Sequence, residues 1–358
     1  MTTLTELRLR NQLLLQPPFD APQQVVEWMG AVQAQDYRMA KWAVGCRTAS
    51  TDATQIEAAL NRGDILRTHL LRPTWHFVSS KDLRWMLSLT ADRIRAANDS
   101  YARGTDAALD SKSIHRYMNL LQKTLEGNKH RTKEEIGEAL NQRGIPLSQY
   151  ALRHLLMRAE TDGIVCSGAD KKGTTTYALL DERAPRGEEP SREEALARLV
   201  RIYFRSHSPA TLADFTWSAG LTATEARRAV ASIAEELTTE HFGDREFFVF
   251  RNAAAAAPCD TTHLLPAYDQ YLIGYKDRSD VLAKEHTSKA FNSHGIFQPV
   301  ILCDGQIVGN WKRTAGRGNV TIQTTLWVDT VPEALDAAIA RYRSFIGGTK
   351  SENSPEAL

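Results

Sequence analysis

The sequence lacks most of the features that assign a function at a glance. Its four cysteines, Cys46, Cys166, Cys259 and Cys303, are scattered, with no Cys-x-x-Cys or Cys-x-x-His pair. A disulfide framework and a cysteine-rich zinc or iron–sulfur site are therefore not expected, and a reducing cytoplasm is the expected location. Cys259 and His263, at i and i+4, make only a weak metal pair. No apolar run approaches the ~18 residues that a membrane helix needs, and Met1–Glu6 has no signal-peptide character. There is no Gly-x-Ser-x-Gly, no phosphate-cradling glycine loop, no Gly-x-Gly-x-x-Gly and no His-Glu-x-x-His. Serine hydrolases, P-loop and dinucleotide enzymes and zincins thus leave no signature, and no metal or cofactor is expected.

Net charge is also nearly absent, at +1 over 358 residues, but it is unevenly spread. Residues 111–180 carry 11 Lys and Arg against 7 acids, whereas residues 181–260 carry 10 against 14. One basic module in a cytoplasmic protein can face nucleic acid. The length is two to three times that of a usual domain, so several small domains or one elongated array are expected.

Residues 111–182 read most clearly. A helix around Ser113–Leu125 precedes Thr132 and Glu135, which have capping-box spacing and open a second helix. That helix ends near Gly144, and Leu152, Leu155, Leu156 and Ala159 mark a third. A hairpin follows, with Lys171 and Lys172 at its tip. Three helices and a basic-tipped hairpin predict a winged helix-turn-helix. The pattern recurs over 191–257, after a Pro/Gly/Glu-rich linker, and fits 1–110, with helices near Leu4–Leu14, Pro22–Val32 and Ala53–Leu60 before apolar Trp75–Val78. After residue 258 short β-rich runs are broken by Asp304-Gly305 and Gly316–Asn319. They predict a small antiparallel sheet or barrel over 258–348, closed by a helix from Pro332 to about Phe345. Residues 349–358 are expected to form a disordered tail. The fold class is thus α+β: three tandem winged helix-turn-helix modules followed by a small C-terminal β-barrel or sheet.

Gln33 and Gln35 lie two residues apart at the apparent end of an amphipathic helix. On a helix such positions diverge; in extended backbone they share a side. For the two to act together, the chain must leave helical geometry at about Val32. Paired amides can hold a water by donating and accepting hydrogen bonds, but they cannot take its proton. Such a site suits a leaving group that is already activated. Glutamines at a helix end also commonly satisfy backbone groups, so a structural role is the alternative. Asp36 is an adjacent candidate base, although in extended backbone it faces away from both glutamines.

In the run Ile65–Phe77, Thr74, His76 and Val78 are predicted to share one strand face and Trp75 and Phe77 the other. His76 and Thr74 are candidate supporting groups, with a hydrogen-bonded, half-buried core histidine as the alternative for His76. Arg67 and Arg72 are candidate phosphate contacts. Lys312, Arg313 and Arg317 form a second candidate set at a predicted hairpin tip, where they can lie on a nucleic-acid backbone, enter a groove or remain solvated.

Ala31–Tyr37, Leu71–Phe77 and Leu264–Arg278, taken together and in this order, resemble the AlkZ-type (YcaQ-related) bacterial winged-helix DNA glycosylases. The resemblance covers nearly the whole chain. It implies tandem winged helices and a C-terminal β-barrel that cup duplex DNA, and metal-free excision of alkylated purines, including some interstrand crosslinks. Gln33, Ala34 and Gln35 fall on the family's Gln-aliphatic-Gln active-site motif, which makes Gln33 and Gln35 the expected catalytic pair. The expected partner is double-stranded DNA bearing alkylated purines, met by a monomer in the cytoplasm at the nucleoid. The competing expectations are a non-catalytic winged-helix DNA-binding protein or transcriptional regulator, and a protein-interaction scaffold.

Overall fold

Many helix starts in this chain are written by side chains that satisfy the first free amides of the helix, as at Thr3, Asp36, Asp110, Thr132, Ser148, Thr211 and Thr222. The computed structural model describes residues 3–49, 52–106, 109–184, 186–187, 189–251, 261–315 and 320–347. Thr3 and Glu6 form a capping box at the head of α1 (Leu4–Asn11), worth about 1 kcal/mol. Then come α2 (Pro22–Met29), β1 (Ala31–Gln33), α3 (Tyr37–Gly45), α4 (Ala53–Arg62), β2 (Ile65–Leu70), β3 (Thr74–Ser79) and α5 (Leu83–Ala102). The helix expected from Pro22 to Val32 stops at Met29, and α3 and α5 are elements that the sequence pattern does not announce.

The next stretch gives α6 (Ser111–Leu125), α7 (Lys133–Asn141), α8 (Gln149–Thr161), β4 (Val165–Ser167), β5 (Tyr177–Leu179) and the single turn α9 (Leu180–Arg183). Asp110, Thr132 and Ser148 cap α6, α7 and α8, and Thr132 forms the expected capping box with Glu135. Met118, Leu121, Ile136, Leu140, Leu152 and Leu155 meet in one apolar core. The arrangement recurs in α10 (Arg192–His207), α11 (Leu212–Ala219), α12 (Ala223–Ser232), β6 (Leu237–Phe242) and β7 (Arg245–Phe250). In both stretches the residue before the N-cap of the second helix bridges the second hairpin strand, Arg131 to Tyr177 and Ala210 to Phe248.

The C-terminal part contains β8 (Thr262–Leu265), the one-turn helices α13 (Gln270–Ile273) and α14 (Thr287–Ala290), then β9 (Val300–Cys303), β10 (Gln306–Ala315), β11 (Val320–Leu326) and α15 (Leu335–Gly347). The four strands pair antiparallel in the order β11-β10-β9-β8. Among the described residues the two edges do not pair, so the expected barrel is instead an open sheet. Closing a ring generally takes five or more strands, and here β8 and β9 have only four residues each. Asp304 (φ +48°) and Gly305 (φ +82°) make the tight β9–β10 turn. The expected tail at 349–358 and Cys259 lie outside the described residues.

Two compact units emerge among the described residues: those up to Glu57 together with those from 196 to 347, and those of Ala58–Ala195. In the second unit α5 lies along α8, tied by Arg95–Asp162 (2.6 Å) and Arg158–Asp99 (3.2 Å) and by Asn98 Nδ2 donating to the His154 carbonyl.

The first unit is organised around a fully buried ion pair. Arg47 donates from its two terminal nitrogens to the two Asp269 oxygens, both at 2.8 Å. Its Nε donates to the Gln12 carbonyl at 2.9 Å, and Asp269 also accepts from the Tyr271 amide at the head of α13. Around it, the Trp42 indole donates to the Leu264 carbonyl (2.6 Å) and the Trp311 indole to the Leu265 carbonyl (2.7 Å). Tyr342 of α15 packs edge-on against both tryptophans. Gly45 is required beneath this cluster, because a Cβ there would lie 2.6 Å from the Phe345 ring.

Removing one partner of a buried pair strands the other charge, which typically costs 3–5 kcal/mol. Asp269→Ala should therefore lower the unfolding free energy by about 3–5 kcal/mol in urea titrations. A loss below about 1 kcal/mol would show that the unit does not rest on this pair.

Candidate active site

The Gln33–Gln35 motif sits where helix gives way to extended chain. Gly30 closes α2 with φ +78° and ψ −55°, a backbone that glycine enters without the clash a Cβ brings. The chain leaves helical geometry there, slightly before the expected position at Val32. Gln33 is the last residue of β1 and is only 4% exposed; Gln35 is half-buried in the bend that follows. The helical geometry that would splay the two amides apart is thus absent at the motif. Gln35 Oε1 is shielded from solvent and accepts no hydrogen bond. A buried acceptor left unsatisfied typically costs 1–3 kcal/mol.

Asp36 is exposed and caps α3, its Oδ1 accepting from the Met39 amide at 3.0 Å. One of its oxygens is therefore committed to the helix start. Tyr342 feels Asp36, Arg38 and Arg313, and burial together with the Asp36 charge outweighs the arginines to hold its phenol above the ordinary range.

In the other unit β2 and β3 form a hairpin with Thr68 opposite His76 and Leu70 opposite Thr74. Thr74, His76 and Val78 share one face, with Trp75 and Phe77 on the other. His76 is 1% exposed and its Nδ1 donates to the Thr74 carbonyl at 3.0 Å. That hydrogen bond fixes the tautomer and leaves the lone pair on Nε2. Burial, with Arg72 and His69 nearby, pushes its pKa down to about 3, so the ring is neutral. Thr74 Oγ1 and Thr68 Oγ1, on the same face, are buried without partners.

The candidate cations separate into packed and exposed groups. Arg67 lies over the Trp75 ring at 4.3 Å, with the His69–Glu160 pair beside it, and Arg72 is half-buried. Lys171 is held by Glu135 at 2.7 and 2.8 Å, whereas Lys172 (φ +50°) stands exposed at the turn. Lys312 and Arg313 point to opposite faces of β10: Lys312 is exposed, and Arg313 is half-buried and bonded to Tyr342. Arg317 lies outside the described residues. Among the described residues no three His, Cys, Asp or Glu side chains gather as metal ligands would.

The sequence reading assigned no role to Arg47, Trp42, Trp311 or Tyr268. The signal at Asp269 was local, an N-cap residue ahead of Gln270–Ile273, but its partner lies far away in sequence.

With this geometry in place, the chain belongs to the AlkZ-like DNA glycosylase family, whose model matches residues 26–345. It is 25% identical over 319 residues to the interstrand DNA cross-link repair glycosylase of Streptomyces sahachiroi, covering 85% of each protein. The solved structure of the Streptomyces sahachiroi DNA glycosylase AlkZ shares its mixed α/β fold, with a TM-score of 0.80, 22% identity and 96% coverage of both chains.

Buried neutral histidines set a pH signature. Burial also pushes His207 and His263 down to about 4. Each ring takes up a proton on unfolding once pH is below the unfolded value near 6.5. Stability should therefore be complete above about pH 7 and fall as pH drops toward 4, by up to about 1.4 kcal/mol per unit for each histidine. His76→Gln should reduce that slope by about one proton in denaturation series across pH. An unchanged slope would mean that His76 is not buried neutral.

Proposed function

We propose that this protein is a monofunctional DNA glycosylase that hydrolyses the N-glycosidic bond of cationic N7- or N3-alkylated purines in duplex DNA, interstrand crosslinks among them. Gln33 and Gln35 are its catalytic pair. The observation that carries this reading is the buried, unpartnered Oε1 of Gln35 beside Gln33 on non-helical backbone. An amide there can accept a proton-bearing water and hold it beneath C1′, while its dipole stabilises the oxocarbenium-like sugar. A purine alkylated at N7 or N3 leaves as a neutral base and needs no acid.

The repeated three-helix-and-hairpin units support reading residues 111–182 and 191–257, and with them 1–110, as winged helix-turn-helix modules on DNA. Of the proposed phosphate contacts, Lys172 and Lys312 are the most accessible. Lys171, Arg67, Arg72 and Arg313 must first exchange or share the contacts that hold them, and Arg317 completes the set.

Single-turnover assays on duplex bearing N7-methylguanine, read as alkali-labile abasic sites, test the activity. Gln35→Ala should slow excision by roughly 10- to 1000-fold, on the order of 1.4–4 kcal/mol, with affinity for undamaged duplex nearly unchanged. Because amides do not titrate, the saturated wild-type rate should vary little between about pH 6 and 8. Wild-type protein that binds damaged duplex yet leaves no abasic site would be a non-catalytic DNA-binding protein.

Lys312→Ala should separate binding from chemistry. It should reduce the salt slope of duplex binding by about one and leave the saturated rate intact. An unchanged slope with a slower rate would place Lys312 in the chemistry instead.

A further inference from the structure

Tyr268 has a backbone that its residue type does not favour. Its φ is +59°, a left-handed conformation that bulky L-residues rarely adopt and that glycine or asparagine enters readily. The surroundings force it on the chain. Four and three residues before it, the Leu264 and Leu265 carbonyls are held by the indoles of Trp42 and Trp311. Immediately after it, Asp269 is locked by Arg47. Strain of this kind persists only where neighbours over-determine it, and it gathers at functional sites.

The same tethers fix Tyr268 relative to the glutamines. α3 begins at Asp36, the residue after Gln35, and its Trp42 and the following Arg47 are the groups that grip the Leu264–Asp269 stretch. The Tyr268 ring is half-buried and backed by Phe297 at 6.1 Å, which stacks on Phe291 at 4.8 Å. Arg278 lies over both phenylalanines, at 4.9 and 5.1 Å. The opposite neighbour in the field is Asp36: burial, and then this carboxylate, keep the phenol protonated. A half-buried aromatic ring is therefore held on a segment anchored to α3, the helix that begins directly after Gln35 and Asp36.

We propose that Tyr268 is a substrate-contacting residue of the Gln33/Gln35 site, its ring recognising the positive charge of an alkylated purine by cation–π attraction. The proposal rests on the glycosylase reading above and adds a determinant of which bases are accepted.

Three variants test it. Tyr268→Asn suits the left-handed backbone, so its thermal midpoint should equal or exceed that of the wild type. Its single-turnover excision of N7-methylguanine should nevertheless fall about tenfold or more, within the range of a lost cation–π contact. Tyr268→Phe keeps the ring and should stay within about threefold of the wild-type rate. A binding comparison reads the charge directly. Wild-type protein should prefer duplex with cationic, non-cleavable 2′-fluoro-N7-methylguanine over neutral 7-methyl-7-deazaguanine by about 3- to 30-fold, and Tyr268→Asn should erase that preference. A midpoint drop of more than about 4 °C in Tyr268→Asn would mark a structural tyrosine. An unchanged rate, or a surviving preference for the cation, would equally overturn the proposal. If the wild type excises nothing, the glycosylase reading itself fails; if it excises and only the Tyr268 outcomes miss, this inference alone fails.

Discussion

The first unit depends on one constraint, the bidentate bond between Arg47 and Asp269. Taking both charges out of water costs several kcal/mol per ion, and attraction between them offsets this only if every remaining hydrogen-bonding position is filled. Here they are largely filled. Arg47 also donates to the Gln12 and Ala43 carbonyls and the Gln12 side chain, and Asp269 accepts from Tyr271. An apolar pair would pack as well but would not choose among registers. The ion pair admits one arrangement of the end of α1, the end of α3 and the turn before α13. His263 stands within the field of both charges, and its neutrality follows from burial in the same region.

That fixed arrangement governs the motif. Gly30 ends α2 early, β1 takes the chain into extended geometry, and Asp36 restarts a helix whose far end is anchored at Arg47. Gln33 and Gln35 occupy the short segment between a helix stop and a helix start. Both ends of the segment are held, and the Gln35 Oε1 within it is buried without a donor. An enzyme can tolerate such an unmet hydrogen bond when the reaction itself supplies the donor.

Several parts of this were legible in the sequence, and for identifiable reasons. The helices at 111–125, 133–141 and 149–161 were legible because capping and apolar spacing agree there, most plainly at Thr132 and Glu135. The faces of β3 followed from strict alternation at Thr74–Val78. α3 was not legible, because Ala40–Gly45 is buried throughout although the charged Lys41 lies within it. The barrel expected after residue 258 failed because strand signals say nothing about closure. The cation sets were only half legible. Sequence identifies Lys171 and Arg313 as basic, but Glu135 and Tyr342, which occupy them, come from elsewhere in the fold. Arg47 and Asp269 are separated by 222 residues, and nothing local to either announces the other.

On the proposed reading, selectivity arises from what the site does not possess. Excising an undamaged purine requires a group that can protonate the base as it leaves. The proposed catalytic groups here are two amides. Neither amide can give up a proton at neutral pH. Asp36 is tied to the start of α3, and an ionised carboxylate could act only as a base. The barrier can then fall only for a base that carries its own positive charge, and an aromatic ring beside the amides would favour that same charge on binding. Discrimination against normal DNA would therefore need no tight pocket around the base. That independence suits lesions that remain covalently joined to the opposite strand and cannot be rotated freely out of the helix.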